Sequence, residues 1–217
     1  MDVWPNEDLN YISMYLNDGK SLSCEEETAE NCISSYVSDP SAPVPFMKDA
    51  SRRDKSYMVA DQSFASERAD VITFTRAPQE EVLKLQGPVK VDLNMSISTD
   101  DADVVVKLID VYPDGYQMLI RGEVFPVRYR ESLEDPKPAV PGEAMNVQFT
   151  MNDVAHWVLP GHRLMVQIQS SWFPLVNMNP QTYMDNIYLA EPEDYTKAEI
   201  KIYHQKNLQS RILLPVI

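Results

Sequence analysis

The sequence predicts an all-β protein, a sandwich or barrel of many short strands, and three observations carry that expectation. In "PVKVDLNMSIS", Val89, Val91, Leu93, Met95 and Ile97 alternate with polar residues, the period of a strand with one wet face. Short apolar runs recur at close intervals, separated by turn-forming stretches such as "PKPAVPGE" and "LPGH". No long stretch places apolar residues at helical spacing, and the 16 prolines suit a chain that turns often.

Each later element follows from its own residues. "DVVVKLIDVY" is more continuously apolar than the strand before it. "PDG" at 113–115 puts proline and glycine where turns use them, and "YQMLIRGEVFPVRYR" returns as the second arm of a hairpin. "MNVQFTM", "RLMVQIQSS", "AEIKIYH" and "RILLPVI" repeat the strand pattern. After "RLMVQIQSS" come two large aromatics, Trp172 and Phe173, and then Pro174, Asn177 and Asn179, residues that bend chains.

The first 69 residues differ. They hold one clear strand, "YISMYL", then a loop bearing both cysteines, then "YVSDPSAPVPFMKDASRRDKS", where prolines favour extended backbone and charges favour water. Long segments of this kind inside a compact protein usually do a job or drape over a neighbour. The chain is therefore read as an N-terminal strand and docking arm over 1–69 and a β-sandwich body over 70–217.

Charge narrows the partners. Against 33 acidic residues stand 19 basic ones, a formal net charge of -14 that repels phosphate backbones and anionic lipid. Nucleic acid and membrane surfaces are not expected partners. No apolar run approaches the roughly 20 residues that span a bilayer, and "MDVWPNEDLN" lacks the charged and apolar regions of an export signal. Met1 running straight into "DVWP" is the pattern of a piece of a longer chain, whose signal would lie elsewhere.

Cys24 and Cys32 bracket the acidic insert "EEETAEN" with little apolar around them. A disulfide between them would close a small loop, contributing about 2.5 kcal/mol on the chain-entropy view, and would imply a periplasmic or secreted setting. A pair of free cytosolic thiols is the other reading.

Motifs for chemistry are mostly missing. No Gly-x-Ser-x-Gly elbow occurs, and "GKS" at 19–21 has Met14 where a phosphate loop needs its first glycine. His156 and His162 stand six apart without a cysteine or carboxylate at zinc-ligand spacing, and His204 has no evident sequence partner. Asp100, Asp101 and Asp103 gather in "TDDAD" without the EF-hand pattern, which fits a turn kept in water better than a calcium loop. "NMS" at 94–96 is a glycosylation sequon placed mid-strand. No cofactor and no metal are expected.

Several ordered blocks bring a family into view: "ADVITF", "LQGPVKVDLNMSISTDDADVVVKLIDVYPDG", "YQMLIRGEVFPVRYRESLEDPKPAVPGE", "LPGHRLMVQIQSSWFPLVNMNPQT" and "ILLPV". They closely resemble the C-terminal domain of the X-Pro dipeptidyl-peptidase and α-amino-acid ester hydrolase family, the group that includes cocaine esterases and glutaryl-7-aminocephalosporanic acid acylases. The upstream "WP", "YISMYL", "YVSDPSAPVP" and "YMVADQSFA" resemble the stretch leading into that domain. The wording lies nearer the ester hydrolase and acylase branch than the peptidase branch.

The resemblance implies a jelly-roll β-sandwich of galactose-binding-like type. It also implies that the Ser-His-Asp triad belongs to an α/β-hydrolase domain of the same parent chain, with no catalytic residue among these 217. The expected role is a noncatalytic accessory domain that packs on the hydrolase domain and helps shape its cleft. Phe46 and Met47 would then wall an acyl pocket, Arg52 or Arg53 would meet a carboxylate, and Trp172 and Phe173 would dock on the neighbour. The competing readings are a solvated linker at 45–58 and a Trp172 that folds back to plug its own sandwich. An independent carbohydrate- or protein-binding module is the alternative function, though fold alone is weak support for it. Self-association into a homo-oligomer stays open.

Overall fold

The computed structural model describes residue 4 and residues 9–51 and 54–217. The strands are β1 (Asn10–Asn17), β2 (Ser21–Ser23), β3 (Ile33–Ser38), β4 (Ile72–Thr75), β5 (Leu83–Ile97), β6 (Asp103–Val111), β7 (Gln117–Pro126), β8 (Met145–Val158), β9 (Arg163–Gln169), β10 (Ala198–Tyr203) and β11 (Arg211–Val216). Among the described residues the helical part is one four-residue turn, α1 (Ser63–Ser66), and short 3-10 turns. The all-β expectation holds.

Hydrogen bonding links the strands in the order β3-β10-β5-β11-β1-β2-β4-β9-β6-β7, with β8 paired to β5. Among the described residues every pairing between these strands is antiparallel except one parallel rung, Ser21 with Thr75, which joins β2 to β4. That single rung is where the sheet folds over. Val91, Leu93 and Met95 of β5, Ile200 and Ile202 of β10 and Met14 of β1 enter the same apolar cluster as Phe74 of β4, Val104, Val106 and Leu108 of β6 and Val166 of β9. The two sides of the seam thus face each other across one core, which is the cause of their folding together.

The alternation read in β5 is real: Val89, Val91, Leu93 and Met95 are all buried, while Lys90 is exposed. β6 is buried along almost its whole length because both of its faces are covered. Val104, Val106 and Leu108 point to the main core, and Val105 and Ile109 to a second cluster with Phe46, Leu119, Met165 and Trp172. The "PDG" turn forms between β6 and β7, with Gly115 at φ 92°, a conformation that penalises a Cβ. Its N–H donates to Tyr112 O (2.9 Å).

The N-terminal third departs from the one-strand reading. Three strands, β1 to β3, fall within it, and β1 pairs with β11 and β3 with β10. Met14, Leu16, Leu22 and Tyr36 belong to the main core. Only the stretch after β3 behaves as an extended arm, crossing the outer face of β6 and β9 before α1.

Candidate functional site

The site is built where that arm meets the loop after β9. Val44 N–H donates to Ser171 Oγ (2.8 Å), Phe173 N–H donates to Val44 O (3.0 Å), and Phe46 N–H donates to Phe173 O (2.9 Å). Pro45 and Phe173 thereby form an isolated parallel bridge. Farther along, Asp54 accepts from Ser56 N–H (2.8 Å) and caps the 3-10 turn Lys55–Val59. That turn delivers Tyr57 edge-on to both Phe46 (5.8 Å) and Trp172 (6.5 Å). The arm then closes on β7, where Gln62 N–H donates to Gln117 O (2.9 Å) and Tyr116 Oη–H donates to Val59 O (2.9 Å).

Between arm and loop runs a groove of about 560 Å³, lined by Phe46, Ala50, Ser51, Asp54, Tyr57, Pro174 and Leu175. Phe173 and Leu175 stand 39 % exposed at its edge, and Met58 and Val59 are also exposed. Trp172 packs behind it, edge-on to Tyr57 and in one apolar cluster with Phe46. The indole is buried and lies against Gly122 of β7, where an added Cβ would meet ring carbon Cη2 at 2.5 Å. Beneath it sits Lys107, wholly buried, its Nζ 5.2 Å from the Trp172 ring centre. Burial pushes its ammonium down to about 7.

A second depression of about 410 Å³ adjoins the first across Val176 and is lined in part by Asp103, Arg128, Tyr129, Asn177, Asn179 and Tyr188. Arg128 Nε donates to Asp101 Oδ2 (3.0 Å), a second guanidinium nitrogen donates to the same oxygen, and Nη1 donates to Met184 O (2.8 Å). Asn179 Nδ2 donates to Asp101 Oδ2 (2.8 Å) and Asp103 Oδ1 (2.9 Å), while its Oδ1 accepts from Gln181 N–H (2.7 Å). Burial, reinforced by the Asp101 charge, pushes the Asp103 carboxyl up to about 7 despite the Asn179 hydrogen bond. "TDDAD" is therefore no solvated turn: Asp101 and Asp103 are buried and tie the β5–β6 loop to the loop after β9.

Of the residues singled out in the sequence, Phe46, Met47, Trp172 and Phe173 come together here, Met47 as a half-buried neighbour of the second apolar cluster. Trp172 folds back onto its own sheet; Phe173 is the one of the two aromatics that faces out. Arg52 and Arg53 lie outside the described residues. Cys24 and Cys32 are separate free thiols, so the expected bridge is absent. Cys32 enters β3, where its carbonyl accepts from His204 N–H (3.0 Å), and Cys24 contacts Met14 Sδ (3.9 Å). The inference of an oxidising compartment rested on that bridge and has no structural support.

Sequence reading missed Tyr57 and Leu175 on the groove, Lys107 beneath Trp172, and the partners of the histidines. His156 Nε2 and His162 Nδ1 each bond one oxygen of buried Asp110 (2.9 Å each). His204 Nε2 bonds Ser34 Oγ (3.0 Å), and burial holds its ring below the usual range. Its Nδ1 has no hydrogen-bond partner among the described residues, so none of their carboxylates completes a triad there. Among the described residues no group of His, Cys, Asp and Glu is arranged to hold a metal ion.

Known proteins share this architecture. The chain is similar to the cocaine esterase of Rhodococcus sp. (strain MB1 Bresler), 31 % identical over 99 % of this chain and 39 % of that protein. It is similar to an aminopeptidase from a marine sediment Thaumarchaeota archaeon, 37 % identical with a TM-score of 0.93, covering 100 % of this chain and 38 % of the other. An α-amino acid ester hydrolase matches at 41 % identity and a TM-score of 0.91, over 95 % of this chain and 36 % of that one. The chain thus spans well under half the length of each. Residues 1–213 match the X-Pro dipeptidyl-peptidase C-terminal non-catalytic domain, and the chain belongs to that family.

Proposed function

We propose that the chain is the accessory domain of a serine hydrolase of the ester hydrolase, acylase or dipeptidyl-peptidase type. It packs on an α/β-hydrolase domain of the same parent protein through the arm and the loop after β9, and it walls the entrance to that domain's cleft. The observation that carries the reading is the groove edge. Phe173, Leu175, Met58 and Val59 are exposed together on an otherwise acidic molecule, and a cluster of this kind usually marks a contact surface.

Association tests it. The chain supplied in trans should bind the separately expressed hydrolase part of the parent protein. Leu175→Asp should weaken that binding at least tenfold, about 1.4 kcal/mol, while leaving the melting temperature of the chain alone unchanged. The chain alone should not turn over a chromogenic ester. Binding indifferent to Leu175→Asp, or ester hydrolysis by the isolated chain, would count against the proposal.

A further inference from the structure

Lys107 stands apart from the other charged groups. It lies at the centre of β6, paired with Gly122 of β7 on one side and Gln167 of β9 on the other. Its Nζ donates to Gln62 Oε1 (2.9 Å) and Gln169 Oε1 (3.0 Å) and faces the Trp172 ring. No ion pair reaches it among the described residues. A buried ammonium without a carboxylate is costly, and such a group normally has a reason to be there.

The two glutamines explain the placement. Gln62 Nε2 donates to Ala60 O (3.2 Å) and Gln169 Nε2 donates to Ser171 O (2.7 Å), so both amides turn their oxygens toward the amine. Gln62 is the last residue of the arm, and its own carbonyl accepts from Gln167 Nε2 (3.3 Å). Ser171, held by Gln169, takes the Val44 N–H at the arm's other end. One amine therefore connects both ends of the arm and Trp172.

We infer that Lys107 is the positioning residue of this face: through Gln62, Gln169 and the Trp172 ring its amine sets both ends of the arm, and the arm's hold on the sheet follows the protonation of that one group. The inference deepens the docking reading, because the groove that Lys107 sets is the proposed contact, yet it is measured on the chain alone. The sign follows from burial. Uncovered, the amine would titrate near its ordinary 10.5; covered, near 7. Below about 7 it is charged in both states and the closed arm bears the whole desolvation penalty, which is released between 7 and 10.5.

Of the other titratable groups on the elements packed here, Asp103 of β6 is also pushed by burial to about 7, but its linkage falls below that pH rather than above it. Asp61 of the arm accepts from Ser63 and Gln117, and those bonds outweigh burial to hold its carboxyl below the ordinary value. β7 offers Gly122 and β9 offers Gln167 and Gln169, none of which titrates. Burial is the one cause of the Lys107 shift.

Hydrogen exchange of the Val44, Phe46 and Gln62 amides, corrected for intrinsic rates, tests this between pH 7 and 9. One proton's linkage allows up to about tenfold per pH unit, so protection should rise at least about tenfold in the natural chain and stay flat in Lys107→Met, with β5 amides unaffected in both. A second measurement does not depend on that variant folding. With Trp4→Phe and Trp157→Phe leaving Trp172 as the sole indole, and Asp103→Asn removing the other group placed near 7, its emission should still change with a single midpoint near 7. Flat protection in the natural chain, a rise that persists in Lys107→Met, or no emission change from pH 5.5 to 9 would overturn the inference. Failure of docking with these results intact would overturn the docking reading instead.

Discussion

At the residue scale the groove depends on one missing side chain. Gly122 leaves the surface of β7 open where Trp172 lies, and any Cβ there meets the indole at 2.5 Å, well inside contact distance. Gly122→Ala must therefore tilt the ring off β7 or push β7 away from it. Overpacking of this kind costs about 1–3 kcal/mol, and thermal unfolding should register it. Trp172→Phe in the same chain, by shortening the ring, should recover part of that loss, so the double variant should be less damaged than the sum of the singles. Full additivity would mean that the two residues do not meet.

At the scale of elements, the loop after β9 is held by Asn179, which bonds both Asp101 and Asp103, and by Arg128, which crosses to Asp101 and Met184. Arg128→Met leaves Asp101 buried with its charge unpaired, a change that typically costs about 3–5 kcal/mol. Asn179→Ala, which leaves the ion pair in place, should cost less while loosening residues 177–181, and hydrogen exchange in that loop would separate the two effects. These elements also mark what sequence could reveal. The alternation of β5 and the Pro-Gly turn after β6 are local patterns and were legible. β3, "ISSYVS", was not, because it buries little apolar surface beyond Tyr36 and draws its stability from pairing with β10, far along the chain. The same distance hid the polar contacts of the site: Asp101 meets Arg128 27 residues away, and Asp110 meets His156 46 residues away. A visible hint existed in Lys107 and Asp110, charges set in a strand too apolar to have a wet face. Trp172 and Phe173 stood out as large aromatics set among turn residues, Phe46 came through family resemblance, and the division between buried Trp172 and exposed Phe173 came from the structure.

For the whole molecule, two buried groups set opposing pH dependences. Asp103 titrates near 7 in the fold against an ordinary 3.8, so folding takes up a proton and its stabilising contribution, complete below 3.8, is lost as pH rises to 7. Lys107 titrates near 7 against 10.5, so its penalty is complete below 7 and fades as pH climbs to 10.5. The first slope falls and the second rises, and they meet near neutrality. Chemical unfolding should therefore find the chain less stable at pH 7 than at pH 5 or pH 9. Each limb should be on the order of 2 kcal/mol, a noticeable share of the roughly 5–15 kcal/mol that holds a typical domain together. The formal charge of -14 supplies a competing cause for the acid limb, since protonating many surface carboxylates also relieves repulsion. Single variants distinguish the causes. Asp103→Asn should flatten the slope from 4 to 7 and leave the alkaline limb, whereas Lys107→Met should do the reverse. An acid limb unchanged in Asp103→Asn would assign it to general charge, and a stability that climbs steadily from pH 5 to pH 9 would remove the trough altogether.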